Sequence, residues 1–444
     1  MRKSSRPRTP AIWVTALSLL AGAAPATAMQ ADSWGAAEAA APGDQQLLNL
    51  AHVYNFTPEA PTLDVEGKGT DLEFFTSDVP KRNYETGELL DSNGNPLPSG
   101  ASPVIVTRDF SIMGSYGGGA WVFDISDPEN VQFVRNITCN QTQNDVQIKQ
   151  FGSRWILALA RDGGSRPCVA KSFGASSGAG IAVFDVTDPY EYKAMYSFRS
   201  EGGAHNFTFH PTKPYGWVST GDLPGALNHI PIIDFTDVDA PTLAADIDVE
   251  GGPHDLSFSV DGLRAFVASE NNYRIYNTTD PKAPVLISRI PNAGTYAHGY
   301  DPTPDRKIAV GTNESLVLGG FLAPGVCPGE GLTFYSIEGT REQTPVPTGQ
   351  FFANVQGRVP DNRACTGHVG KVANDALVTG WYIGGVRVVD FSDPTMPAEV
   401  GVAVMPGAEV WAAKWYKGPY IFAADMRRGF DVFRWTGPSA PWLS

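Results

Sequence analysis

Charge is scarce in this chain, and basic charge is scarcer. Only 18% of the 444 residues are charged, with 33 Lys and Arg against 47 Asp and Glu for a formal charge of −14. An average domain is about a quarter charged. The basic deficit excludes the Lys/Arg surface that phosphate contacts need, so no nucleic-acid partner is expected. No long apolar run follows residue 26, so no membrane span is expected in the mature protein. Neither a Walker motif nor H-E-x-x-H occurs, which removes P-loop and zincin chemistry. Cysteine is limited to four residues and histidine to seven.

Glycine (47) and proline (35) are plentiful, which favours many turns over long helices. The N-terminus carries Arg2, Lys3, Arg6 and Arg8, then the apolar run AIWVTALSLLAGAAPA, then Ala26-Thr27-Ala28. Residues 1–28 therefore read as a secretion signal. Its removal takes four positive charges, so the mature chain carries −18. The expected location is secreted, periplasmic or cell-surface. Residues 29–46, rich in Ala, Gly and Gln, read as a disordered leader. Four cysteines in an exported chain predict two disulfides, Cys139–Cys168 and Cys327–Cys365.

One phrase recurs along the rest. WVFDISDP ends at Pro128, IAVFDVTDP at Pro189, IPIIDFTD at Asp237, YRIYNTTDP at Pro281 and VRVVDFSDP at Pro394. Degenerate copies stand at 332–339 and 430–437. Each is an alternating apolar strand followed by a turn in which Asp and Ser/Thr bond the backbone, and Pro ends the ladder. The recurring Asp124, Asp185, Asp234 and Asp390 are therefore expected to serve turns rather than calcium. Seven copies at this spacing predict an all-β fold, a single seven-bladed propeller over residues 47–437, with a tail at 438–444. The last unit lacks its fourth strand, and LLNLAHVYNF (47–56) is expected to supply it and close the ring. The V-x-V-x-D-h-S-D-P phrase resembles the LVIVD-repeat family of exported and cell-surface β-propellers, which implies the same fold and leaves function open.

The units begin near Thr70, Asn144, His205, His254, His298, His368 and Glu409. In a propeller the first strand of each blade lines the central channel, so these residues form a ring at one channel mouth. Four of the seven histidines fall in this one column. A second column of acids, Asp109, Asp162, Asp222, Glu270, Glu314 and Asp425, ends the second strand: Asp222 lies 17 residues after His205, Glu270 and Glu314 lie 16 after His254 and His298, and Asp425 lies 16 after Glu409. Carboxylates behind imidazoles orient metal-ligating histidines. The region matching His368 reads Thr-Gly-Trp381-Tyr382 and offers no acid. Both disulfides fall on the histidine face.

This pattern predicts one transition metal ion (Fe, Cu or Zn) on His205, His254, His298 and His368, with Glu409 as a fifth ligand or an acid behind the ligands. In its histidine column and blade count the ring is similar to that of carotenoid-cleaving oxygenases and of the selenium-binding-protein/methanethiol oxidase family, and a metal-dependent oxidoreductase working at the channel mouth is one expected function. The other is a binding or scaffolding protein that takes a protein or small molecule on the histidine face. A structural use of the histidines stands beside both, since WD-repeat propellers use Gly-His pairs to bond an Asp inside the blade. His210 is expected in a turn near the far face, His229 in a loop and His52 in packing.

Overall fold

The computed structural model describes residues 44–58, 68–139, 143–162, 168–175, 179–200, 203–221, 228–292, 296–314, 326–358 and 363–439. The expected signal (1–28) and most of the expected leader lie outside them. Seven sheets, antiparallel apart from the short strand Ser172–Gly174 that pairs parallel at the edge of blade 2, follow one another in chain order as a seven-bladed β-propeller. The innermost strands of blades 1 to 7 are Gly69–Pro80, Gln143–Phe151, Asn206–Phe209, Pro253–Phe258, Tyr296–Pro302, Gly370–Val372 and Val410–Trp415. No helix among the described residues is long and apolar enough to cross a membrane.

The middle strands are buried on both sides by neighbouring blades, and their sequences show it. In blade 2, Ile156 to Ala160 are all fully buried, so the strand is continuously apolar rather than alternating. The outer strand of blade 3, Thr242–Asp248, is mostly exposed and mixed in polarity. The recurring turn works by local chemistry. Asp124 Oδ1 accepts the N–H of Ser126 at 3.0 Å, Asp185 that of Thr187 at 3.0 Å, Asp234 that of Thr236 at 2.7 Å and Asp390 that of Ser392 at 2.8 Å.

Closure is shared between two blades. Leu50–Phe56 pairs antiparallel with Gly429–Trp435 and completes blade 7. Gln46–Leu48 pairs instead with the outer strand of blade 6. Asn49, with φ of 54°, turns the chain from one blade to the next, and its amide donates to Val400 O at 2.9 Å. The N-terminal segment thus covers one sheet edge and completes another. Gln46, at the end of the expected leader, lies in this strand.

A second recurring feature positions the channel side chains. The first strand carries a register shift at its mouth end in blades 1, 2, 4, 5 and 7. In four of these, one residue is skipped by the ladder: Asn144, His254, His298 and Trp411. A bulge of this kind re-aims a side chain where regular pairing would hide it.

Candidate metal centre at the channel mouth

The four column histidines converge. Ring centroids are 4.1 Å apart for His205 and His254, 4.4 Å for His254 and His298, and 4.1 Å for His298 and His368. His254, His298 and His368 are each at most 5% exposed. Burial, then the neighbouring imidazoles, hold His254 and His298 well below the usual histidine pKa, and burial takes His368 down to about 3. These rings are therefore neutral and keep a lone pair.

Backbone carbonyls fix which nitrogen offers it. Nδ1 of His254 donates to His298 O at 3.2 Å, and Nδ1 of His368 donates to Trp411 O at 2.9 Å. A carbonyl only accepts, so both rings present Nε2 to the channel. His205 Nδ1 lies 2.7 Å from Asp162 Oδ1. The Gln143 amide, oriented with its nitrogen toward Asp162, donates to Oδ2 at 2.5 Å.

Glu314 stands among the imidazoles rather than behind one. Its Oε2 is 4.0 Å from His298 Nε2 and its Oε1 is 3.9 Å from His368 Nε2. Donor atoms of His254, His298 and Glu314 all lie within 4.8 Å of one another, a spacing that can hold a metal ion. Tyr382 from blade 6 donates to Glu314 Oε1 at 2.7 Å, and its ring packs 4.6 Å from His368. Tyr382 answers the gap left by the missing acid opposite His368.

Three residues of the expected site do other work. Glu409 accepts from Arg427 Nε at 2.8 Å, with Arg363 at 4.0 Å. The bulge of blade 7 selects Trp411, two residues later, whose ring lies 4.5 Å from His368. Asp425 accepts the N–H groups of Arg427, Arg428 and Glu409 at 2.8, 2.9 and 3.0 Å. Glu270 occupies the two-residue hairpin between the second and third strands of blade 4, with φ of 38°, and makes no hydrogen bond to a ring histidine among the described residues. The reason is loop length. Where the second and third strands join tightly, Asp425 in blade 7 bonds the turn and Glu270 in blade 4 is itself a turn residue. Where a long loop follows, in blades 2 and 5, Asp162 and Glu314 reach the ring. Asp162 thereby serves the histidine of the next blade. Asp222 lies outside the described residues.

The other histidines have partners of their own. His210 Nε2 donates to Gly262 O at 2.9 Å, His229 Nδ1 pairs with Asp246 at 2.8 Å and His52 Nε2 with Asp431 at 2.7 Å. Both disulfides are formed, Cys139–Cys168 and Cys327–Cys365, with Cα atoms 5.3 and 5.2 Å apart.

No protein-family model matches the chain, and no curated protein matches it. Among solved structures it is similar to the crystal structure of the β-propeller domain of Cps50 (Swd1) from Myceliophteria thermophila, at 9% identity and a TM-score of 0.50. The match covers 73% of this chain and 93% of that one. At that identity the likeness establishes the β-propeller fold alone.

Proposed function

We propose that this protein is an exported LVIVD-type propeller that binds one transition metal ion at its channel mouth and presents it to a ligand. His254, His298 and Glu314 are the first donors, and His205 and His368 complete the set. The observation that carries this reading is His298. It is 3% exposed, its ring sits between those of His254 and His368, and its Nε2 stands 4.0 Å from Glu314 Oε2. Buried imidazoles and a carboxylate within ligand reach of one another form a donor set of the kind transition metal ions occupy. Imidazole with one carboxylate suits Fe, Cu or Zn. The bound ion would supply Lewis acidity, while the carbonyls and Tyr382 hold the donors in place.

Metal analysis of protein purified without a histidine tag tests this. About one equivalent of ion is expected, and His298→Ala is expected to lose it with the far-ultraviolet circular dichroism unchanged. Well-folded protein that takes up no metal on reconstitution overturns the reading. The two-His, one-carboxylate composition of the tightest trio favours a second reading, a metal-dependent oxidoreductase, since that set serves non-haem iron oxygenases. Substrate-dependent oxygen uptake by iron- or copper-loaded protein, lost in His254→Ala, would support it. Loaded protein that consumes no oxygen with any reductant or organic substrate leaves the binding function.

A further inference from the structure

Beneath the histidines the channel widens into a cavity of about 260 Å³. His298 and His368 form part of its wall at one end, and Phe209, Phe258 and the exposed Pro211 at the other. Phe209 and Phe258 end the first strands of blades 3 and 4, so the cavity runs from the candidate metal donors toward the face opposite the disulfides. Five carboxylates line it, Asp71, Glu73, Asp145, Asp255 and Asp301, against one lysine, Lys414.

Lys414 is already committed. Its Nζ lies 2.9 Å from Asp71 and 3.2 Å from Glu73, and it donates to Leu72 O at 2.8 Å. No salt bridge reaches Asp145, Asp255 or Asp301 among the described residues. Asp145 accepts the Phe207 N–H at 3.3 Å and Asp255 the Leu256 N–H at 2.6 Å, both neutral donors. Asp145 is buried and Asp255 and Asp301 are half-buried along the same wall. The almost fully buried His298 faces the same cavity. The single donor trio within 4.8 Å among the described residues is His254, His298 and Glu314. The channel carboxylates stand too far apart for three of them to share a bare ion.

We propose that this chamber binds a small organic cation, a short aliphatic amine or diamine, entering from the face opposite the disulfides. Ammonium groups donate several hydrogen bonds to separated acceptors, and Leu256, Phe209 and Phe258 offer an apolar wall to the methylenes. The proposal rests on the metal reading only for what the amine meets at the upper end; the acidic walls stand without an ion. Calorimetry on the full chain, metal-loaded and chelator-stripped, with 1,4-diaminobutane and uncharged 1,4-butanediol as probes, separates the two. Binding of the diamine and not the diol is expected in both states, which rules out simple coordination of the amine. Asp301→Asn is expected to weaken the diamine by about tenfold. Absence of diamine binding, equal binding of the diol, or binding to stripped Asp301→Asn protein at unchanged affinity overturns the chamber. A protein that binds the diamine but takes up no metal retains the chamber and loses the metal site.

Discussion

At Tyr382 the backbone φ is 42°, a left-handed conformation that a bulky residue rarely adopts. Gln143, Asn144 and Glu270 share positive φ values of 67°, 60° and 38°, and all four lie at the histidine mouth. Strain of this kind persists where the surroundings over-determine it. At Tyr382 the return is the hydroxyl's bond to Glu314. Burial, then the Glu314 carboxylate, raises the phenol's pKa, so it remains a donor. Removing a group that holds a metal ligand costs about 10- to 100-fold in affinity. Tyr382→Phe is therefore expected to weaken metal binding by that factor in a chelator competition, with the fold kept; unchanged affinity would remove Glu314 from the ligand set. Asp425 makes a different prediction. Burial raises its pKa to about 7. The folded state then holds the proton more tightly than the unfolded chain, whose carboxyl titrates near 3.9. The contribution to stability is full below about pH 4 and is lost as pH rises to about 7, with an upper bound of roughly 4 kcal/mol. Denaturant midpoints measured across that window should fall less steeply for Asp425→Asn than for the parent.

Phe56 ties the closing strand to blade 1. Phe56 stacks on Phe133 at 5.3 Å and meets Phe123 edge-on at 5.5 Å, so blade 7 grips blade 1 through a residue from the N-terminal segment. Phe56 is only half-buried, and Phe56→Ala is expected to cost about 3 kcal/mol, the low end for such truncations, read as a lower denaturant midpoint. The seven blades were legible in the sequence because the turn that ends each third strand is local. An Asp bonding the N–H two residues on needs nothing from the rest of the fold. The histidine column was legible for the same reason, as the start of each repeat. Which residue the bulge would select in blade 7 was not, because a bulge is a property of strand pairing. Counting forward from the repeat gives Glu409, whereas the ladder skips Trp411. The channel acids were hidden by the same device. Asp145 and Asp255 follow Asn144 and His254 directly, so strict alternation assigns them to the side away from the ring. In blade 4 the extra residue allows both His254 and Asp255 to reach the channel.

Across the whole molecule, the candidate donors come from four blades. His254 and His298 are 44 residues apart in sequence, and His368 is a further 70. An unfolded chain does not hold them together, so an ion that binds there stabilises the closed ring by mass action, by about 2.7 kcal/mol at a free concentration one hundred times Kd. The Cys327–Cys365 disulfide acts on the same region, since it joins the segments that follow Glu314 and precede His368. Closing a loop of 38 residues removes unfolded-state entropy worth about 4 kcal/mol in the chain-entropy picture. Replacing both cysteines by serine should lower the unfolding midpoint with or without metal. The metal-dependent increment separates two roles for the bridge. If it only restricts the unfolded chain, the increment is the same in parent and variant. If it also holds Glu314 and His368 toward each other, the increment shrinks at equal metal concentration because Kd has risen. The packing of Cys327 and Cys365 in one core cluster with Trp381, beside Tyr382, favours the second outcome. Thermal unfolding of the two proteins, each with and without metal, should therefore show a smaller metal-induced rise in the variant.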